Sequence, residues 1–232
     1  MKCFIGTLAW VVLIASGWPI AAQQLQAGSI NTPQQADIRI DHEVQVENWR
    51  MLDIFLYLLR GTGLHGGIVE MAGCSDLPKG RLQIGQGLTV RQAMDALVAA
   101  NPGYQWELKD GVVNLMPRGG APLLSTKIKK FQMDANDREI PVVLGDLLRL
   151  PAILEREAAL GVKEGPGQGG LSSGEAHPVP RQPMPIKINV QNLSLLEAFN
   201  ETVQASPKGV WIYHETDCDG AKTFIVEMAS SY

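Results

Sequence analysis

The alternation of apolar and polar positions predicts two amphipathic helices built to the same plan. Residues 88–106, LTVRQAMDALVAANPGYQW, and residues 193–211, LSLLEAFNETVQASPKGVW, align without a gap. In both stretches apolar residues recur at helical spacing and form one stripe along one helix face. The stripes comprise Val90, Ala93, Met94, Leu97 and Val98 in the first stretch, and Leu195, Ala198, Phe199, Thr202 and Val203 in the second. A proline past each helix end, Pro102 or Pro207, stops further winding, and a tryptophan opens the next segment.

Both helices also begin with the same polar pattern. Thr89 with Gln92, and Ser194 with Glu197, have the spacing of a capping box. In that motif the hydroxyl accepts a free backbone N–H of the first turn, and the later side chain accepts the N–H of the capping residue. The capping box, the apolar stripe, the proline and the tryptophan occupy matching positions in the two stretches. We therefore interpret the two stretches as an internal repeat. The alternative is that two unrelated amphipathic helices agree by chance.

The first predicted module spans residues 42–118. Alternating or periodic apolar positions predict, in order, a strand at 44–46, a helix at 52–59, strands at 66–71 and 81–84, a helix at 90–100, and strands at 104–108 and 112–116. Asp110-Gly111 between the last two runs is a strong hairpin signal, because glycine accepts a positive φ.

The second predicted module, residues 123–229, follows a similar but distorted plan. Its elements are a strand at 126–133, a helix from Ile140 that Pro151 interrupts, a strand from Ile186, a helix at 195–205 and a final hairpin with Cys218 in its loop. Residues 161–185 are rich in glycine and proline and predict a long mobile loop.

These elements predict an α+β fold made of two small modules of β-α-β-β-α-β-β type. We expect the helices to pack on one face of a mixed or antiparallel sheet, since each helix carries a single apolar stripe.

The N-terminal region has the layout of an export signal. Lys2 precedes an apolar run at 4–14, and the small residues Ala21-Ala22 follow helix breakers. We therefore expect a signal peptide at 1–22, a flexible leader at 23–41 and a periplasmic or secreted chain that does not span the membrane after processing. The alternative is an uncleaved N-terminal anchor.

Cys74 and Cys218 are the two cysteines that remain after removal of the signal peptide. Both are expected in loops. An exported chain meets an oxidising compartment, so a Cys74–Cys218 disulfide that joins the two halves is one hypothesis. Two unpaired thiols, one of them linking two chains, are the other.

The first module resembles the short N-terminal domain shared by secretins and TonB-dependent receptors. The resemblance covers residues 44–116 and lies in MLDIFLYLLRGTGLHGGIVE and GRLQIGQGLTVRQAMDALVAANPGYQWELKDGVVNLMP. The matching positions are Gly63, Leu64, Thr89, Ala93, Asp95, Tyr104 and Gly111. A weaker second copy, at about 186–228, matches only through SLLEAFNETV and GVWIYH. The resemblance implies a periplasmic module that binds another envelope protein and performs no chemistry.

The remaining residues indicate no catalytic, cofactor or metal site. The net charge of −4 does not favour nucleic-acid binding. The four histidines lack metal-ligand spacing, and a cation among His214 to Asp219 is less favoured than a solvated turn. We interpret Trp49, Trp106 and Trp211 as core residues, with a shared ligand groove as the alternative.

We therefore expect a non-catalytic, exported protein-interaction module of the bacterial cell envelope. Its partner would be another envelope protein, and no cofactor is implied. A periplasmic protein that binds a small ligand or glycan is the alternative function. A hydrolase is the least favoured one, because the serines at 172–173 lie in the glycine-rich loop and lack the strand-turn-helix context of a nucleophile.

Overall fold

The computed structural model of the chain describes residues 37–74, 77–135, 140–165, 186–205 and 208–230. The predicted signal peptide, most of the predicted leader and residues 166–185 of the predicted loop lie outside this part of the chain. No helix in the described ranges is both long enough and apolar enough to cross a bilayer.

The first half contains two helices and five strands. They are β1 (Val44–Arg50), α1 (Met51–Leu59), β2 (His65–Ala72), β3 (Lys79–Ile84), α2 (Val90–Ala100), β4 (Tyr104–Lys109) and β5 (Val112–Pro117). The order of elements is the predicted one. The turn between β4 and β5 has positive φ at both Asp110 and Gly111, 51° and 80°, as a two-residue hairpin of the predicted kind requires.

The second half contains three helices and five strands among its described residues. They are β6 (Lys127–Ala135), α3 (Ile140–Leu148), α4 (Pro151–Leu160), β7 (Val162–Glu164), β8 (Ile186–Ser194), α5 (Leu195–Gln204), β9 (Gly209–Cys218) and β10 (Ala221–Ser230). Pro151 does not only interrupt a helix; it begins α4, because its fixed φ and missing N–H suit a first turn.

Two expectations for the second half were wrong in detail. The loop predicted from residue 161 begins instead with the short strand β7 at Val162–Glu164. Cys218 does not lie in a long loop, because β9 continues to it and the turn to β10 is the tight pair Asp219-Gly220. None of the five residues in the run HETDC is aliphatic or aromatic in the sense of a core position, and this continuous polarity resembles that of a loop although the run lies in β9.

The two halves have the same strand connections. In each half the first strand pairs antiparallel with a later one, β1 with β3 and β6 with β8. In each half the strand after the first helix region pairs parallel with the last strand, β2 with β5 and β7 with β10. The closing hairpins, β4–β5 and β9–β10, are equivalent as well. The second half therefore repeats the topology of the first, with α4 added.

The halves are joined within one six-stranded sheet of order β4-β5-β2-β9-β10-β7, and the pairs β1-β3 and β6-β8 form separate two-stranded sheets. The junction is the parallel pairing of β2 with β9, from Gly66 beside Val210 to Ala72 beside Thr216. We call this pair of strands the seam. The α+β class predicted from the sequence is confirmed.

Helices cover both faces of the six-stranded sheet. One apolar cluster joins α1 and α2 to Ile68, Leu115 and Ile212, and the other joins α3 and α5 to Trp211 and Phe224. The expectation of helices on one face thus describes each half by itself but not the whole sheet. Because β2 pairs parallel with β9, each strand that the second half contributes to this sheet runs in the opposite direction to its counterpart in the first half. A half with connections of the same handedness then carries its helices on the opposite face of the sheet.

Candidate functional site

Both predicted capping boxes are formed. In α2 the Thr89 hydroxyl accepts the Gln92 N–H at 3.2 Å, and the Gln92 side chain accepts the Thr89 N–H at 2.9 Å. In α5 the Ser194 hydroxyl accepts the Glu197 N–H at 3.3 Å, and Glu197 accepts the Ser194 N–H at 2.6 Å. All four side chains therefore stabilise the first turn of a helix.

Glu197 has a second contact, which connects the two halves. Its other carboxylate oxygen lies 2.6 Å from Nζ of Lys109 at the end of β4. The hydrogen bond from Lys109, followed by the backbone N–H of Ser194, lowers the pKa of Glu197 to about 2. Nζ of Lys127 approaches the same carboxylate at 3.6 Å. Glu197 therefore binds the first hairpin to the start of α5 as well as capping that helix.

The two repeated tryptophans have equivalent hydrogen bonds. Nε1 of Trp106 donates to Asp95 at 2.8 Å, and Nε1 of Trp211 donates to Asn200 at 2.8 Å. Each acceptor lies on the capped helix of its half, eleven residues before its tryptophan. Trp211 is fully buried, whereas Trp106 is half-buried at the edge strand β4.

The third tryptophan does not share their environment. Trp49 is 44% exposed on β1, and its ring meets Tyr57 of α1 edge-on at 6.2 Å. The core interpretation is therefore wrong for Trp49. The three tryptophans do not line one groove either, because the two repeated ones face opposite sides of the six-stranded sheet.

The seam is packed closely where Trp211 crosses it. A Cβ atom added to Gly67 on β2 would overlap the indole ring of Trp211. Because Gly67 has no side chain, the indole of Trp211, the largest fully buried side chain, can pack against β2.

A buried ion pair lies on the other face of the seam. The Glu70 carboxylate is fully buried on β2. Nη2 and Nε of Arg50 donate to it at 2.6 Å and 3.1 Å, and the N–H of Leu52 donates at 3.2 Å. Nδ1 of His214, on β9, lies 3.6 Å away. Burial raises the pKa of Glu70, but the contacts with His214, Arg50 and the Leu52 N–H outweigh it and lower the pKa below its usual value.

This ion pair has the character of a structural contact rather than a reactive centre. Both oxygens of the buried Glu70 carboxylate accept hydrogen bonds from Arg50 or from the Leu52 N–H. The sequence pattern did not indicate this ion pair, because Glu70 is a single polar residue in the predicted strand GGIVEM. The available signal was that a strand with an apolar residue on both faces is buried on both sides, so that a carboxylate within it requires a partner.

The polar residues near the end of β9 do not converge. His214 faces Glu70, while Glu215 lies on the opposite face and accepts the Tyr213 hydroxyl at 2.6 Å. Burial and the bond to Glu215 raise the pKa of Tyr213. Within the described ranges no group of three His, Cys, Asp or Glu side chains is arranged to hold a metal ion.

Cys74 and Cys218 come together at one end of the seam. Both are free thiols, Cys74 exposed just after β2 and Cys218 partly exposed as the last residue of β9. The Cys74 side chain is the main cause that raises the pKa of the Cys218 thiol. The sequence singled out this pair but not its location beside the strand pairing that joins the halves.

Among the described residues, the strand β4 is an open edge of the six-stranded sheet. Arg118 donates its N–H to the Gly103 carbonyl, so alternate residues from Gly103 onward exchange hydrogen bonds with β5. By the same alternation, the N–H groups of Trp106 and Leu108 point away from β5, to the open side. We call this row of backbone groups the β4 edge.

Comparison with the second half shows what is unusual about the β4 edge. Its counterpart β9 is hydrogen-bonded on both sides, to β10 and to β2. The residues equivalent to Val210 and Ile212, which are buried in the seam, are the exposed Gln105 and Glu107. The same strand of the repeat is thus enclosed in one half and exposed in the other.

No protein-family model, no curated protein and no solved structure matches this chain. The resemblance of residues 44–116 to the short domain of secretins and TonB-dependent receptors therefore stays a prediction.

Proposed function

We propose that this protein is a non-catalytic interaction module of the bacterial cell envelope, which binds a partner protein by adding a strand of that partner to the β4 edge. One observation carries the proposal: β9, the counterpart of β4, has β2 as a neighbouring strand, whereas no strand in the described part of the chain occupies the same place beside β4. Edge strands recruit other chains through their unpaired backbone groups.

The other end of the sheet is less suited to this role. The edge strand β7 has 3 residues, against 6 in β4. Very short edge strands are a common means of preventing strand addition, since they offer few ladder hydrogen bonds.

The side chains of β4 indicate the chemistry of the partner strand. Trp106 and Leu108 are half-buried on one face, and Gln105 and Glu107 are exposed on the other. A strand added here would pack apolar residues beside the first pair and polar residues beside the second. An alternating segment of about five residues fits this edge, and at about 1 kcal/mol net per ladder hydrogen bond the complex would be a weak or transient one.

Substitution of Leu108 tests the proposal. Leu108→Pro removes an outward N–H without removing a bond to β5, and Leu108→Ala removes the same side chain but keeps the N–H. A photo-crosslinking amino acid at Gln105 should capture a partner from envelope extract in the parent and in the Leu108→Ala protein, and at least tenfold less in the Leu108→Pro protein.

Two controls make the result decisive. The same crosslinker at Glu155, an exposed position on α4, reports nonspecific capture. Unfolding midpoints of the two Leu108 variants within a few degrees of each other show that the proline has not unfolded the hairpin. Equal capture by both variants, or no capture from Gln105 above that from Glu155, would overturn the proposal.

The envelope location rests on the pattern of residues 1–22 and has its own test. The N-terminus of the protein isolated from cells should begin near Gln23, and the protein should be released with the periplasmic fraction. An intact Met1 in the cytoplasmic fraction would contradict it.

The buried ion pair does not favour the hydrolase alternative. Glu70 is held by two donors of Arg50 and by the Leu52 N–H, and it is fully buried. A general base needs access to the proton that it removes.

A further inference from the structure

The register of the seam aligns Cys74 with Cys218. The last printed pair of the parallel ladder is Ala72 beside Thr216. Continued by two residues beyond the end of β2, the same register would place Cys74 beside Cys218. Neighbouring strands lie about 4.8 Å apart, and disulfides join Cα atoms that are about 4.4–6.8 Å apart. Residues in register on parallel strands project to the same side of the sheet.

The thiols themselves support this alignment, since the Cys74 side chain lies near enough to Cys218 to act on the ionisation of its thiol. The interaction with Cys74, followed by partial burial and the nearby carboxylates of Asp219 and Asp217, raises the pKa of Cys218 to about 11. Lys222 on β10 pairs with Asp217 at 3.6 Å. Cys218 is therefore a thiol at neutral pH, held beside a more exposed thiol that reagents in solution can reach.

We propose that Cys74 and Cys218 are an oxidation site, at which an intramolecular disulfide covalently joins the two halves at the end of the seam. This inference does not depend on the proposed function. The oxidant is a small or protein disulfide, of which oxidised glutathione is the simplest example.

The reaction proceeds by two thiol–disulfide exchanges. The exposed Cys74 sulfur, as its thiolate, attacks one sulfur of the oxidant, forms a mixed disulfide and releases one thiolate. Cys218 then loses its proton to solvent and attacks the Cys74 sulfur, which expels the second thiolate. The chain loses two protons and two electrons, and the oxidant becomes two thiols.

The disulfide would restrain the chain between two residues that are 144 positions apart in sequence, 74 and 218. Long loops of this kind lose much conformational freedom in the unfolded state when they are closed. Because the bond spans neighbouring strands already in register, it should form without moving the backbone and should raise the unfolding temperature.

The experiment uses the full chain carrying Cys3→Ser, which removes the one other cysteine. The folded, reduced protein is incubated with oxidised glutathione, and remaining thiols are alkylated. We expect a monomer that is lighter by about 2 Da before alkylation. Proteolysis without reductant should then give one peptide pair containing Cys74 and Cys218. The unfolding midpoint should rise on the order of 10 °C.

Cys74→Ser and Cys218→Ser serve as matched controls. Both should unfold at the temperature of the reduced parent and should lose the whole rise caused by oxidised glutathione. Three outcomes would overturn the proposal: quantitative alkylation of both thiols after oxidation, a glutathione adduct that never resolves, or a disulfide between two chains. A disulfide that forms without changing the midpoint would contradict the claim that it restrains the seam.

Discussion

Trp211 donates its indole N–H to the Asn200 side chain at 2.8 Å, with both residues at most 1% exposed. Trp106 makes the equivalent bond to Asp95 at 2.8 Å, but there the acceptor is exposed. The repeat therefore contains the same hydrogen bond in two surroundings, buried at the seam and solvated at the β4 edge.

This pair predicts unequal effects of one substitution. Asn200→Ala leaves a buried indole N–H without an acceptor and opens a small cavity, so we expect a loss of about 2–3 kcal/mol of unfolding free energy. Asp95→Ala lets water replace the carboxylate, and we expect a loss below about 1 kcal/mol. Urea unfolding followed by circular dichroism measures both. Equal losses would show that the seam admits water to Trp211.

Gly67 provides a test of packing across the seam. Gly67→Ala places a methyl group in the Trp211 indole, and we expect it to destabilise the chain by about 2–4 kcal/mol. Gly73→Ala, just beyond the same strand, adds its methyl group where no atom lies within 4 Å, and we expect less than about 0.5 kcal/mol of change. Thermal unfolding of the two variants side by side makes the comparison. A Gly67→Ala protein as stable as the parent would mean that β2 and β9 do not pair as described.

The ion pair predicts a cost that a second substitution relieves. Arg50→Met leaves the Glu70 carboxylate buried without a cation, and we expect a loss of about 3 kcal/mol at pH 7. Adding Glu70→Gln removes the unpaired charge and keeps an acceptor for the Leu52 N–H, so most of that loss should be recovered. Denaturant midpoints of the single and double variants test this. If Glu70→Gln makes the Arg50→Met protein less stable still, the buried charge is not the source of the cost.

Local signals were sufficient to predict the helices. The capping boxes at Thr89 and Ser194, with the stripes behind them, predicted α2 at its observed bounds and α5 to within one residue. Asp110-Gly111 predicted the first hairpin. Each of these signals acts between residues close in sequence, where spacing alone determines which groups meet.

The seam could not be predicted in the same way. Whether β2 pairs with β9 depends on which distant strand lies beside GGIVEM in the sheet. The alternation of residues along one strand does not specify that neighbour. The contacts that depend on the seam were missed for that reason: Gly67 with Trp211, Glu70 with His214, and the placement of the cysteines. The sequence did not show that the second copy is complete. The additional helix α4 and the short strand β7 change the spacing between elements, so the second half does not align with the first over its whole length.

Glu197 predicts a contribution to stability that depends on pH. Its pKa is lowered to about 2 in the folded chain from an ordinary value of 4.5, chiefly by the hydrogen bond from Lys109. A carboxyl with a lowered pKa stabilises the fold above its unfolded pKa, and the contribution is lost as the pH falls through the folded one. Glu197→Gln removes the charge but retains the capping box, as Gln92 shows in the first half.

The ion pair of Glu197 with Lys109 is screened by solvent, because Lys109 is 40% exposed. We therefore expect the unfolding free energy of the parent to exceed that of the Glu197→Gln variant by about 1 kcal/mol at pH 6. This difference should shrink between pH 4.5 and 2. Urea midpoints of both proteins across this range measure it, and other titrating groups cancel in the difference. Lys109→Met should reduce the same difference at pH 6, because it removes the partner. A gap between parent and Glu197→Gln that stays constant down to pH 2 would show that the effect comes from packing and not from charge.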